Sequence, residues 1–249
     1  MGLFSFIPKV VRKILRKAPT CSAVIVAAGS SERMGGEDKL FIEIDGLPVL
    51  AHTLMVFQNS KRIYEIILVA REDALESVLE LCKEYNISKV SKIIVGGSTR
   101  SESVLHGVTA VSKTASLVAI HDAARPCVSS SLIEKTIAKA EKHKAAAPAI
   151  PVTSTIKRVK NGVIVETVDR ENLVEIQTPQ VFDTALIKGA LTKAIKNNVA
   201  ITDDCMAVEL LGATVYTTEG SVNNIKITSK EDIPLIKAVL LKNKKYQTI

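Results

Sequence analysis

Residues 23–27, Ala-Val-Ile-Val-Ala, are small or β-branched and uncharged, and they run straight into Ala28-Gly29-Ser30-Ser31. An unbroken apolar run of this kind suits a strand buried on both faces, which restricts the chain to a sheet covered by helices on each side. The small residues behind it let successive backbone N–H groups converge on an anion. Arg33 and Lys39 supply the formal positive charge that the amides lack, so a polyphosphate is the natural guest. Two familiar phosphate loops are excluded. A Walker A loop needs Gly and Lys where Met34 and Gly35 stand, and the dinucleotide pattern needs Gly where Ser31 stands.

The chain repeats this strand-then-helix rhythm. Short strands are predicted at residues 41–44, 65–70, 92–95, 117–120 and 145–152, with helices at 48–57, 72–85 and 99–111 between them. The expected class is α/β, a doubly wound, mostly parallel, Rossmann-like sheet whose ligands bind beyond the carboxyl ends of its strands. The second half changes character. Residues 155–170 read as a β-hairpin around Asn161-Gly162, with β-branched residues on either side. Such a ribbon exposes unpaired edges that a second subunit could cover, so residues 153–172 are expected to be a dimerisation arm. Beyond it come a helix carrying Leu186, Ile187, Ala190, Leu191, Ala194 and Ile195, a cap at Thr202-Asp203-Asp204, and a strand at 213–217. Residues 223–228 then bring Lys226 to the last turn before a closing helix at 230–245.

Two loops after strands carry further chemistry. Gly96-Gly97-Ser98-Thr99-Arg100-Ser101 opens a helix and offers amides and short hydroxyls to a base or a phosphate. His121-Asp122-Ala123-Ala124-Arg125-Pro126 places a carboxylate at a strand's end, suited to a Mg²⁺ ion or a ribose hydroxyl, three residues before an arginine that could meet a phosphate. His121 reads as a packing residue.

The formal charge of +7 suggests a nucleic-acid partner until it is located. Residues 1–20 carry +5 and residues 237–249 carry +4, which leaves a body of −2 and argues against a broad nucleic-acid surface. Pro8 starts a basic amphipathic segment with Val10, Val11, Ile14 and Leu15 on one face; it reads as a helix docked on its own domain or lying on an anionic membrane. No apolar run is long enough to span a membrane. Cys21, Cys82, Cys127 and Cys205 are scattered without metal spacing, as reduced thiols of a cytoplasmic protein would be, and no structural metal is expected.

Taken in order, AAGSSERMG with Lys39, GGSTRSESV, HDAARP, the TIKR-to-TVDR arm, QTPQVF, ITDD and NIKIT resemble the cytidylyltransferase family that makes CDP-methylerythritol from CTP and 2-C-methyl-D-erythritol 4-phosphate. The resemblance covers roughly residues 21–240. It implies one nucleotidyltransferase domain over 21–249, preceded by the extension 1–20, with Mg²⁺ or another divalent cation as cofactor. By motif position it implies that Arg33 and Lys39 stabilise the transition state and that Arg170 and Lys226 position the attacking phosphate. It further implies nucleotide contacts at Ala27, Ala28, Gly29, Ser30, Gly97, Ser98, Ser103 and Asp122, the last also near the metal. Substrate contacts fall at Arg125, Thr155, Thr178 and Thr202. In the family the arm's arginine reaches a neighbouring subunit's site, which implies a homodimer. Ser154 stands where the family commonly has Asp, Leu40 where Gln is usual, and the segment 35–38 is slightly short. The alternatives are a ribitol 5-phosphate cytidylyltransferase and, in another class, a membrane- or nucleic-acid-binding protein that uses its basic ends.

Overall fold

The computed structural model describes residues 21–29 and 38–247. The segment 1–20, with its expected amphipathic helix, lies outside the described residues, as do Ser30 and Arg33 of the first loop.

In chain order, β1 (Cys21–Ala27) is followed by a two-stranded ribbon, β2 (Glu43–Ile44) and β3 (Leu47–Pro48), then α1 (Val49–Asn59) and β4 (Ile63–Ala70). A 3-10 turn at Glu72–Ala74 leads into α2 (Leu75–Glu84), and β5 (Val90–Val95), α3 (Arg100–Ala110), β6 (Leu117–Asp122), α4 (Ser130–His143) and β7 (Ala145–Pro151) follow. The second half holds β8 (Ile156–Lys160), β9 (Val163–Val168), β10 (Val174–Ile176) and β11 (Gln180–Asp183). It closes with α5 (Thr184–Lys196), α6 (Asp204–Glu209), β12 (Tyr216–Glu219) and α7 (Asp232–Gln247).

β1 lies inside the sheet, with β4 and β6 parallel on its two sides and β5 parallel beyond β4. The full order is β10-β7-β11-β6-β1-β4-β5, with β12 on the other edge of β7. The sheet is mostly parallel, as expected, with two antiparallel strands. β11 inserts antiparallel between β6 and β7, and β10 pairs antiparallel with β7. The four residues of β11 are too few to show a period, yet Val181 and Phe182 are fully buried. Helix α4 has no counterpart among the expected elements, the strand expected at 213–217 lies at Tyr216–Glu219, and the one expected at 41–44 shrinks to Glu43–Ile44.

Period-two alternation along β1 builds both cores. Cys21, Ala23, Ile25 and Ala27 face one layer with Leu50, Leu54 and Phe57 of α1 and Ile133 and Ile137 of α4. Val24 faces the other, with Val104 and Val108 of α3 and Ile187 and Leu191 of α5. Each fully buried Leu, Ile or Phe contributes about 1.5–3 kcal/mol to stability, so this two-sided burial holds β1 in register. Gly107 permits a close approach of helix to strand: a Cβ there would stand 2.4 Å from Val24 Cγ1, so α3 lies on β1 only because that side chain is missing.

The expected hairpin forms its own two-stranded sheet, β8 with β9, closed by Asn161 and Gly162 at φ +50° and +79°, as a type I′ turn requires. Val159, Val163, Ile164 and Val165 on it are each more than half exposed. Among the described residues no helix is long and apolar enough to cross a membrane.

Candidate active site

The strand ends of β1 and β6 lie side by side, with Val26 opposite Asp122 and the Ala123 N–H donating to the Val26 carbonyl at 3.0 Å. Ala27, Ala28 and Gly29 therefore leave the sheet beside Asp122, with Ala27 buried and Gly29 exposed. The Gly96-Gly97 turn packs against Ala28, because a Cβ on Gly96 would come within 2.6 Å of Ala28 Cβ. Ser103 Oγ accepts from the Gly97 N–H at 3.0 Å and donates to the Thr99 carbonyl at 3.0 Å. Ser98 Oγ donates to Glu102 at 2.5 Å, and Thr99 with Glu102 forms a capping box on α3. These short side chains hold the turn in shape and leave Gly97 and the exposed Ser98 at its lip.

Asp122 is the electrostatic centre. Lys226 Nζ stands 2.8 Å from its Oδ2, Arg125 Nε 3.5 Å from the same oxygen, and Arg100 Nη2 3.5 Å from Oδ1. Burial alone would raise its pKa, but Lys226 and then Arg100 outweigh that and hold the carboxyl well below the usual range. Asp122 is thus a permanent anion. Among the described residues no three His, Cys, Asp or Glu side chains gather into a metal cage.

Lys226 is placed by its loop. The Ile227 N–H donates to the Ala124 carbonyl at 2.8 Å, Arg125 Nη1 to the Asn224 carbonyl at 2.8 Å, and the buried Asn224 Nδ2 to the Thr178 carbonyl at 2.8 Å. Lys39 Nζ donates to the Ile227 carbonyl at 3.3 Å. Two lysines far apart in sequence thus meet at one loop, which spacing in the chain could not reveal.

Three of the expected substrate contacts also have protein partners. Arg125 props the Lys226 loop as just described. Thr178, before a cis Pro179, accepts from the Asp122 N–H at 3.2 Å, and its hydroxyl lies 2.9 Å from His121 Nδ1. Thr202 is exposed just before α6, its hydroxyl toward Met206 Sδ. His121 is a packing residue, as expected: it is wholly buried beside Phe57, and burial pushes its pKa down to about 3. Thr155 and Arg170 are exposed at the base of the hairpin, where Arg170 donates to the Thr153 carbonyl. The structure does not bring them into the Asp122 cluster within one chain.

Several contributors had no role assigned from the sequence. Arg100 grips Asp204 with both Nη atoms, at 3.0 and 2.9 Å. Gln180 accepts from the Asp204 and Cys205 N–H groups at 3.1 Å and donates to Asp203 at 2.8 Å. Arg71 donates to the Gly29 carbonyl at 3.0 Å and to Asp38 at 2.8 Å. Arg100, Gln180, Asp203 and Asp204 fall within the motifs already quoted, whereas Arg71 lies outside them.

Comparison with known proteins points the same way. The family model described as 2-C-methyl-D-erythritol 4-phosphate cytidylyltransferase matches residues 21–242. A protein of that name from Halalkalibacterium halodurans is 45% identical over 220 residues, covering 88% of this chain and 96% of its own. One from Clostridium botulinum (strain 657 / Type Ba4) is 43% identical over 223 residues, covering 89% and 97%. Among solved structures, the 4-diphosphocytidyl-2C-methyl-D-erythritol synthase of Anaerococcus prevotii superposes with a TM-score of 0.80 at 33% identity, covering 90% of this chain and 96% of that one. The 2-C-methyl-D-erythritol 4-phosphate cytidylyltransferase of Thermus thermophilus gives 0.73 at 29% identity, covering 87% and 97%. With a match that spans both halves of the sheet and every loop around Asp122, the chain belongs to the 2-C-methyl-D-erythritol 4-phosphate cytidylyltransferase family.

Proposed function

We propose that this chain, acting in the cytoplasm, transfers CMP from CTP to 2-C-methyl-D-erythritol 4-phosphate, releasing pyrophosphate and forming CDP-methylerythritol for non-mevalonate isoprenoid synthesis. The observation that carries this reading is the convergence of Lys39 and Lys226 on one loop beside Asp122, in a chain of this family. The acceptor's phosphate attacks the α-phosphorus of CTP in line with the departing pyrophosphate. It is already an anion near neutral pH, so no general base is needed. The barrier lies in bringing anions together, and fixed cations lower it. Arg33 and Lys39 are assigned to the charge growing on the α-phosphate, and Arg170 and Lys226 to the attacking phosphate. Ala27, Ala28, Gly29 and Ser30 are assigned to the triphosphate, and Gly97, Ser98 and Ser103 to the cytosine side. Thr155, Thr178 and Thr202 are assigned to the acceptor's hydroxyls, and Arg125 to the acceptor's side of the site.

Mg²⁺ is usually held by one or two carboxylates together with substrate phosphates. The permanently ionised Asp122, at the strand ends beside the first loop, is already shared by Lys226, Arg125 and Arg100, so it fits only a metal carried mainly by the nucleotide. A bound divalent cation would neutralise part of the triphosphate's charge; Asp122 would share it with the phosphate oxygens.

The exposed apolar residues of β8 and β9 support a homodimer in which the hairpin is the arm and Arg170 serves the partner's site. Residues 1–20 are assigned to a basic extension outside the enzyme domain at 21–249.

Pyrophosphate release is the test. CTP with methylerythritol phosphate should give turnover, and CTP with ribitol 5-phosphate should give at least tenfold less. Equal or greater turnover with ribitol 5-phosphate would replace the acceptor assignment, and Ser154 makes that comparison informative.

A further inference from the structure

Arg100 has two carboxylates within reach and does not share itself equally. Its Nη1 and Nη2 make a parallel pair of bonds to Asp204, at 3.0 and 2.9 Å, whereas Asp122 is 3.5 Å away. Asp204 is fully buried, at the start of α6, and its backbone N–H is tied to Gln180. Its side chain can therefore neither turn to solvent nor follow Arg100 elsewhere. On the far side of the cluster Asp122 faces Lys226 at 2.8 Å and Arg125 at 3.5 Å, so one carboxylate is courted by three cations. Were Arg100 free, its rigid fork would match the Asp122 carboxylate better than a lysine ammonium does.

We propose that Asp204 is a positioning residue: by occupying both arms of Arg100 it reserves the Asp122 carboxylate for Lys226, and so sets where Lys226 stands to receive the acceptor's phosphate. Asp204 touches no reactant in this scheme and acts only through Arg100 and Asp122. The same bond links the first turn of α3, which follows the cytosine-side loop, to the first turn of α6, which follows Thr202. The nucleotide and acceptor halves of the site are thereby held at a fixed separation. This inference rests on the cytidylyltransferase reading above.

The experiment is a cycle on the full-length enzyme with pyrophosphate release as readout, using wild type, Asp204→Asn, Lys226→Ala and the double variant. Turnover of the wild type first tests the cytidylyltransferase reading, independently of Asp204. Asp204→Asn keeps the side chain's shape and removes the charge. It is expected to raise KM for methylerythritol phosphate roughly tenfold while changing KM for CTP less than threefold, a charged contact being worth about one factor of ten or more. In the Lys226→Ala background the same substitution should change kcat/KM for the acceptor less than twofold, because its route of action is gone. Adding Arg100→Met to Asp204→Asn should bring the acceptor KM back toward wild type, since the competitor has been removed. The proposal is overturned if Asp204→Asn raises both KM values alike, if its effect is undiminished without Lys226, or if Arg100→Met gives no recovery. Thermal melting of each variant checks folding, and recovery in the Arg100→Met, Asp204→Asn pair remains decisive even if Asp204→Asn alone melts early.

Discussion

Arg71 joins Gly29 to Asp38: its Nη1 donates to the carbonyl of the last described residue before the first loop, and its Nη2 to the side chain of the first described residue after it. The span between these anchors carries Arg33 and ends beside Lys39, so a residue outside the family motifs fixes where the loop starts and finishes. Arg71→Ala should raise KM for CTP roughly tenfold, the cost of two lost charge-assisted bonds partly open to water, and alter KM for the acceptor much less. Asp73→Ala is the control. Asp73 also meets Arg71 at 3.0 Å but is largely exposed, and steady-state kinetics should find it near wild type.

Lys39→Ala should lower kcat by about two to three orders of magnitude, as loss of a group that stabilises transition-state charge does, with little change in melting temperature. Arg33→Ala is expected to behave alike. Near-normal turnover of a double Arg33→Ala, Lys39→Ala enzyme would remove the basis of the mechanism.

Arg170→Ala and Lys39→Ala should each be inactive, yet active when mixed. If Arg170 serves the partner's site, a mixed dimer holds one site with both residues intact, so random exchange restores roughly a quarter of wild-type activity. Refolding the two variants together and measuring turnover tests this; no recovery places Arg170 in its own chain's site.

Thr178 carries a structural prediction beside its expected substrate contact, because its hydroxyl lies between the Asp122 N–H and His121. Thr178→Val leaves that buried donor unpaired, at about 1–3 kcal/mol, which corresponds to a fall of roughly 2–12 °C in melting temperature for a domain of this size. Thr178→Ser should recover most of it. A Val variant that melts normally but binds the acceptor poorly would give Thr178 a substrate contact and no structural role.

His121 sets an acid limit. Burial lowers its pKa from 6.5 to about 3 in the folded chain, so below pH 6.5 the unfolded chain takes up a proton that the folded one refuses. Its contribution is complete above pH 6.5 and is lost progressively as pH falls toward 3, at up to about 1.4 kcal/mol per pH unit. Denaturant titrations across that range should show a shallower pH slope for His121→Gln than for wild type.

The strands and loops nearest the chemistry were readable because their signals are local. Residues 23–27 needed only their own side chains to declare a buried strand, and Asn161-Gly162 needed only its neighbours to declare a turn. β11 was missed because four residues carry no period, and only the gap between β6 and β7 makes them a strand.

The sequence by itself determined the alternation of β1, which faces two cores, and the order of motifs that carries membership of the family. Tertiary structure alone decided the electrostatics. Arg100 and Asp204 are separated by 104 positions, and Lys39 lies 188 before Ile227, so no local rule relates them. Proximity and burial set how charges share their partners, and both exist only once the strands have brought their ends together.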